Sequence, residues 1–152
     1  MTEQSTPSSR VPLSAPYYGA SLPIAFARYW RKYATFNGRA SRSEFWWWEL
    51  VALIIGAILM AIYIPSLLAS TTGGHGIRIN AGIAIVIVVG GIVFFATVVP
   101  SLALSWRRLH DANLSGWFIL LSLVPSVGGL IVLILCVLPS NPEGARFDAP
   151  MG

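Results

Sequence analysis

"AGIAIVIVVGGIVFFATVVP", residues 81 to 100, decides how the rest of the chain is read. Its Val and Ile content favours a strand by propensity alone. The run is too long for one strand, and apolar residues do not alternate with polar ones. A lone strand in lipid would also leave its backbone groups unpaired, whereas a helix pairs its own. The stretch therefore reads as a helix of roughly the 20 residues that cross a bilayer. It continues to Trp106 without a charge.

Two more apolar stretches flank it. "LVALIIGAILMAIYIPSLLA", Leu50 to Ala69, holds eleven Leu, Ile and Val residues, which together favour insertion by roughly 3 to 7 kcal/mol. Trp117 to Leu138 is again free of charge. In the third stretch Pro125 is followed by "SVGG". A bend there would make a re-entrant hairpin with arms of about ten residues, short for a crossing. Three full spans are expected, at about 45–69, 81–106 and 116–138, in an all-α integral membrane protein.

Composition agrees. Of 152 residues, 55% are hydrophobic and 11% charged, against about 25% charged in soluble domains. Mean hydropathy is +0.70. The length suits one domain. The net charge of +4 fits basic residues held near anionic lipid. The cations fall at segment ends and not along one polar face, so no nucleic-acid partner is expected. Cys136 is the only cysteine, which excludes an intramolecular disulfide. The first twenty residues, rich in Ser and Pro and without an apolar core, are not a cleavable signal and are expected to be a disordered lead.

Residues 21–36, "SLPIAFARYWRKYATF", read as an amphipathic helix lying in the membrane interface. Leu22, Phe26, Tyr29, Trp30 and Tyr33 fall on one side; Arg28, Arg31, Lys32 and Thr35 fall on the other. Ser21 is the N-cap candidate, and Pro23 is tolerable in the first turn. The plainer alternative is a helix packed on the ends of the spans. The helical membrane domain is expected over 37–139, with a flexible Pro- and Gly-rich tail over 140–152.

With three spans and the N-terminus inside, eight cations are cytoplasmic, and Arg78 and Arg146 lie outside, the orientation the positive-inside rule favours. Trp30, Trp46, Trp47, Trp48, Trp106 and Trp117 would then act as anchors at the cytoplasmic headgroup level. Consecutive helical residues point about 100° apart, so the Trp triplet cannot all face a core.

Polar groups are few. "SWRRLHDANLSGWF", residues 105 to 118, is the elbow between the second and third spans. Arg107 or Arg108 can pair with Asp111 within one turn, and Ser115 is a natural N-cap. An acid–base pair of His110 and Asp111 lacks a nucleophile and points its members apart, so a structural elbow is expected and catalysis is not. Glu49 has only Phe45, Trp46, Ala52 and Leu53 at i±3 and i±4. At that depth it needs a partner on another helix, and Arg107 or Arg108 is expected to supply it. His75 and His110 are expected on opposite sides of the bilayer, so no metal site is expected, nor any cofactor.

"FNGRASRSEFWWWEL", residues 36 to 50, and "RRLHDANLSGWF...LVPSVGGLIVLILCVLPSNPEG", from Arg107 onward, resemble the bacterial membrane-protein family catalogued as domain of unknown function 805. The shared pattern is F-x-G-R-x-x-R-x-E-[FY]-W, then R-R-L-H-D and S-G-W, covering about Phe26 to Pro150. The resemblance implies a small bacterial inner-membrane protein and brings no activity, substrate or cofactor. Where members tend to read N-R-F-G, this chain has Ala145, Arg146, Phe147 and Asp148. Gly38, Arg39, Arg42, Glu44 and Glu49, with Arg107, Arg108, His110 and Asp111, are expected on one membrane face as a clasp or headgroup pocket.

Two functions remain in view. One is a non-enzymatic protein that binds anionic lipid, a membrane-protein partner or a second copy of itself at the cytoplasmic face. The other is a subunit of a small oligomeric transporter or channel, which usually needs more polar lining than Ser66, Thr97, Ser101, Ser122 and Ser126 supply.

Overall fold

The computed structural model describes residues 11–13, 15–71 and 79–148. Four α-helices follow in order: α1 (Leu22–Arg31), α2 (Arg42–Thr71), α3 (Ala81–Asp111) and α4 (Gly128–Val137), with 3-10 helices at Gly116–Leu123 and Pro142–Phe147. No strand occurs among the described residues. The chain forms two compact units, Trp48–Val99 and the remainder, taken in turn.

Trp48–Val99 carries most of α2 and the first part of α3. Both helices are long and apolar enough to cross a membrane. At 30 and 31 residues each is about 45 Å long, more than the ~30 Å hydrocarbon core. Their apolar side chains point outward: Leu53 is 69% exposed, Ile92 65% and Phe95 75%. A soluble core helix would bury such residues; a lipid-facing one leaves them outward. The two helices meet near the ends that flank residues 72–78. Asn80 Oδ1 caps α3 by accepting from Ile83 N–H at 3.0 Å, and its amide donates to Ser66 O at 2.7 Å. Gly82 lies so close to Ser66 that a Cβ would fall 1.8 Å from its hydroxyl. The "GGHG" loop, with His75 and Arg78, lies outside the described residues.

The remainder, up to Trp47 and from Pro100 onward, holds most of the buried polar groups. Here α1 is shorter than expected and differently turned. Ala25, Arg28 and Tyr29 are its buried residues, and Lys32, just beyond it, is buried too. Leu22, Phe26, Trp30 and Tyr33 are exposed. Half of the basic side therefore faces protein, because Arg28 finds a carboxylate there. Tyr29 leaves the aromatic stripe to hydrogen-bond Ser101 Oγ at 2.8 Å. Ser21 stands at the N-cap without a side-chain cap bond.

The single helix expected over 116–138 does not form. A 3-10 helix, Gly116–Leu123, gives way at Val124 to a tight turn, and α4 starts at Gly128. Pro125 cannot extend the helical ladder, and Ser126 takes a left-handed φ of 72°. Gly128 sits where a Cβ would be 1.9 Å from Leu121 O, so the two arms close on each other, and α4 packs along the 3-10 helix. With ten residues, α4 is about 15 Å long, half of a crossing. Both ends of the hairpin return to one place: Asn141 N–H donates to Asp111 O at 2.7 Å. The tail is not loose over 140–148, and the lead is not loose over 15–20, since both dock on the charged cluster described next. Residues 1–10 of the expected lead and 149–152 of the expected tail lie outside the described residues.

Candidate functional site: a buried charged cluster

The cluster begins at the entry to α2. Gly38 has φ 81°, a left-handed turn that a side chain would strain. Its N–H donates to Phe147 O at 2.9 Å, and its carbonyl lies 3.2 Å from His110 Nδ1. Ser41 and Glu44 then form a reciprocal cap: Glu44 N–H donates to Ser41 Oγ at 3.2 Å, and Ser41 N–H to Glu44 Oε2 at 2.9 Å. This capping box leaves one carboxylate oxygen for another partner. That oxygen takes Arg28 Nε in a buried ion pair. Arg28 also donates to the carbonyls of Val11, Pro12 and Ala15, which draws the lead onto α1.

A second centre lies at the end of α3. Arg108 Nη1 pairs with Asp111 Oδ2 at 2.6 Å, both side chains fully buried. Asp111 also accepts from Tyr18 Oη at 2.8 Å and from Ser140 Oγ. Arg108 donates to the carbonyls of Cys136 (3.0 Å from Nε) and Leu138. Arg42 adds a bond to Leu138 O at 3.2 Å. Two guanidiniums thus meet the carbonyl end of α4, where the helix dipole is negative.

The tail closes the assembly. Phe147 stacks on His110 with centroids 4.0 Å apart, and Arg39 grips Asp148 through Nε at 3.0 Å and Nη2 at 2.7 Å. Gly144 packs its backbone so near that a Cβ would fall 2.4 Å from His110 O. The departure at residues 145–148 thus supplies the carboxylate that Arg39 uses.

Gly38, Arg39, Arg42, Glu44, Arg107, Arg108, His110 and Asp111 therefore come together through backbone and side-chain bonds. Arg107 O accepts from Ala40 N–H at 3.0 Å. Glu49 belongs to the other unit. The ion pairs among the described residues join Arg28 to Glu44, Arg39 to Asp148 and Arg108 to Asp111, so the Glu49 pairing is not among them. Arg108 had a carboxylate one turn away on its own helix. His110 and Asp111 turn to different partners, as adjacent helical positions must. Of the tryptophans, Trp30, Trp46 and Trp117 are exposed, Trp47 donates to Ala20 O at 2.8 Å, Trp106 packs against Trp117 at 5.1 Å, and Trp48 is buried. The triplet fans out, and Trp48 is core, not a surface anchor.

Some members went unseen in the sequence. The S-x-x-E box of Ser41 and Glu44 was a legible signal; Tyr18 and Ser140 gave none. Lys32, the chain's only lysine, is 2% exposed. Burial first, then the charges of Arg107 and Arg28, push its ammonium down to about 7, against the opposing pull of Glu44 and Asp148.

Residues 33–149 match the family described as "Protein of unknown function (DUF805)". Over 117 residues, 77% of this chain and 87% of the relative, it is 33% identical to Inner membrane protein YhaH of Escherichia coli K12. Over 104 residues, 68% of this chain and 75% of the relative, it is 34% identical to Inner membrane protein YhaI of the same strain. No solved structure matches. The family match takes in the α2 entry, both long helices, the hairpin and the docked tail; the chain belongs to the DUF805 family.

Proposed function

We propose that this chain is a bacterial inner-membrane protein that crosses the bilayer twice and acts without catalysis, by binding anionic lipid at the cytoplasmic face. In this reading α2 and α3 are the spans, residues 116–137 dip into the membrane and return, and both termini are cytoplasmic. Nine of the ten Lys and Arg residues then lie inside, with Arg78 alone outside. That is a sharper asymmetry than three spans give.

The observation that carries the reading is the outward face of α1. Leu22, Phe26, Trp30 and Tyr33 are exposed along one stripe. The opposite face is pinned by Arg28 to Glu44. A helix held from behind, with apolar and aromatic side chains in front, suits the level between acyl chains and headgroups.

The test is a spin label at Phe26→Cys in full-length Cys136→Ala protein in vesicles. The label is expected to be open to oxygen and shielded from a water-soluble nickel chelate, more so as anionic lipid increases. Nickel accessibility equal to that of a water-exposed position would sink the reading.

A further inference from the structure

Four cationic side chains are buried in the charged cluster: Arg28, Lys32, Arg107 and Arg108. Two buried carboxylates face them, and both are already used. Glu44 holds Arg28 with one oxygen and accepts from Ser41 N–H (2.9 Å) and Tyr17 N–H (3.3 Å) with the other. Asp111 is shared by Arg108, Tyr18 and Ser140. Arg107 donates Nε to Ala103 O at 3.0 Å, yet its Nη2 has no acceptor, and neither has Lys32 Nζ. Arg107 is 1% exposed and Lys32 2%. The charge of Arg107 bears on Lys32, and two buried donors of like charge are costly unless a counter-charge reaches them.

We propose that Lys32 and Arg107 together hold one phosphate-class oxyanion, with Lys32 Nζ and Arg107 Nη2 as its donors. The donor set suits that chemistry. An ammonium is a compact point charge with three donors, and a guanidinium adds directional N–H groups; a tetrahedral oxyanion accepts from both at once. A single carboxylate would serve less well, because two positive charges have to be met. Beside Lys32, Trp30 and Tyr33 are exposed with rings stacked at 6.1 Å, and Phe36 packs edge-on against Trp106. Such rings belong at the depth of lipid phosphates. The oxyanion is therefore either a lipid headgroup phosphate or inorganic phosphate. Only the lipid source rests on the interfacial reading of α1.

Lys32 being the only lysine, lysine labelled with 13C at Cε gives one resonance from the full-length protein. Its titration midpoint, expected near 7 in chloride with neutral detergent, is followed in two arms. One adds inorganic phosphate at constant ionic strength. The other compares neutral detergent with nanodiscs of phosphatidylcholine and with nanodiscs containing phosphatidylglycerol. Anion binding favours the charged ammonium, so the midpoint is expected to rise by about one pH unit or more, a tenfold preference of the anion for the charged form. A rise with inorganic phosphate identifies a soluble anion; a rise in either lipid over neutral detergent, without one in inorganic phosphate, identifies a headgroup. Arg107→Gln is expected to abolish the rise. A midpoint that stays put in both arms overturns the proposal, and so does a rise that survives in Arg107→Gln. Should that variant not fold, the wild-type titration decides alone. The spin label at residue 26 reports α1 separately, so failure of the anion site and failure of the interfacial reading are distinguishable.

Discussion

Arg28 of α1 and Glu44 of α2 form a buried ion pair, and the same carboxylate caps α2 through Ser41. One side chain thus fixes where a helix starts and which neighbour packs on it. Glu44→Gln keeps one side-chain oxygen for the cap on Ser41 N–H but leaves Arg28 without a counter-charge. Removing one partner of a buried pair costs about 3–5 kcal/mol. The double variant Arg28→Met, Glu44→Gln is expected to recover much of that, read as thermal midpoints in detergent. A double no better than Glu44→Gln alone would mean the pair carries no coupling.

Glycine positions discriminate within the hairpin. A Cβ at Gly116 would fall 2.1 Å from the Trp106 ring, whereas at Gly129 nothing lies within 4 Å. Gly116→Ala is expected to destabilise by about 1–3 kcal/mol through overpacking. Gly129→Ala is expected to be neutral or to stabilise by up to about 1 kcal/mol, since glycine weakens a helix interior. Thermal unfolding of the two purified variants checks the contrast.

Sidedness follows from the return of the hairpin. Ala27 and Ala145 are both exposed. Placed one at a time as cysteines in a Cys136→Ala background, both are expected to react with an impermeant maleimide from the cytoplasmic side of oriented vesicles. Labelling of the two from opposite sides would restore a third crossing.

Lys32 gives stability a pH dependence. Its folded-state value, about 7, lies below its ordinary one of about 10.4. Between these values the unfolded chain binds more protons than the folded one, so stability rises with pH across that window. Below it the ammonium is charged in both states and its burial cost is felt in full. Lys32→Met is expected to be more stable than wild type near pH 6, with the difference shrinking as pH approaches 10. Thermal midpoints across pH in phosphate-free buffer measure this.

Some of this structure was legible in the sequence. The long apolar helices α2 and α3 follow from uninterrupted apolar length, and the Arg108–Asp111 pair follows from their spacing on one helix. The third segment was harder. Its hydropathy equals that of a span, and only Pro125 with its neighbours marks the break; a left-handed Ser126 has no compositional signature. Amphipathicity located α1 but not which face meets protein, because periodicity cannot tell an Arg that points to water from one that meets a buried carboxylate. The partners that settled this, Glu44 for Arg28 and Asp111 for Tyr18, are distant in sequence. Height on a helix does not by itself assign Glu49 a partner, since Arg108, one of the two cations expected for it, has a carboxylate one turn away on its own helix.

The sharing of Asp111 among residues 18, 108 and 140 bears on how the protein is made. The side chains that complete this acceptor come from before α1, from α3 and from after α4. While the polypeptide is still leaving the ribosome, Tyr18 and Arg108 can reach the aspartate, but Ser140 has yet to be added. The shared acceptor is therefore completed only once both long helices have been made, since residue 140 follows α2 and α3 in the chain.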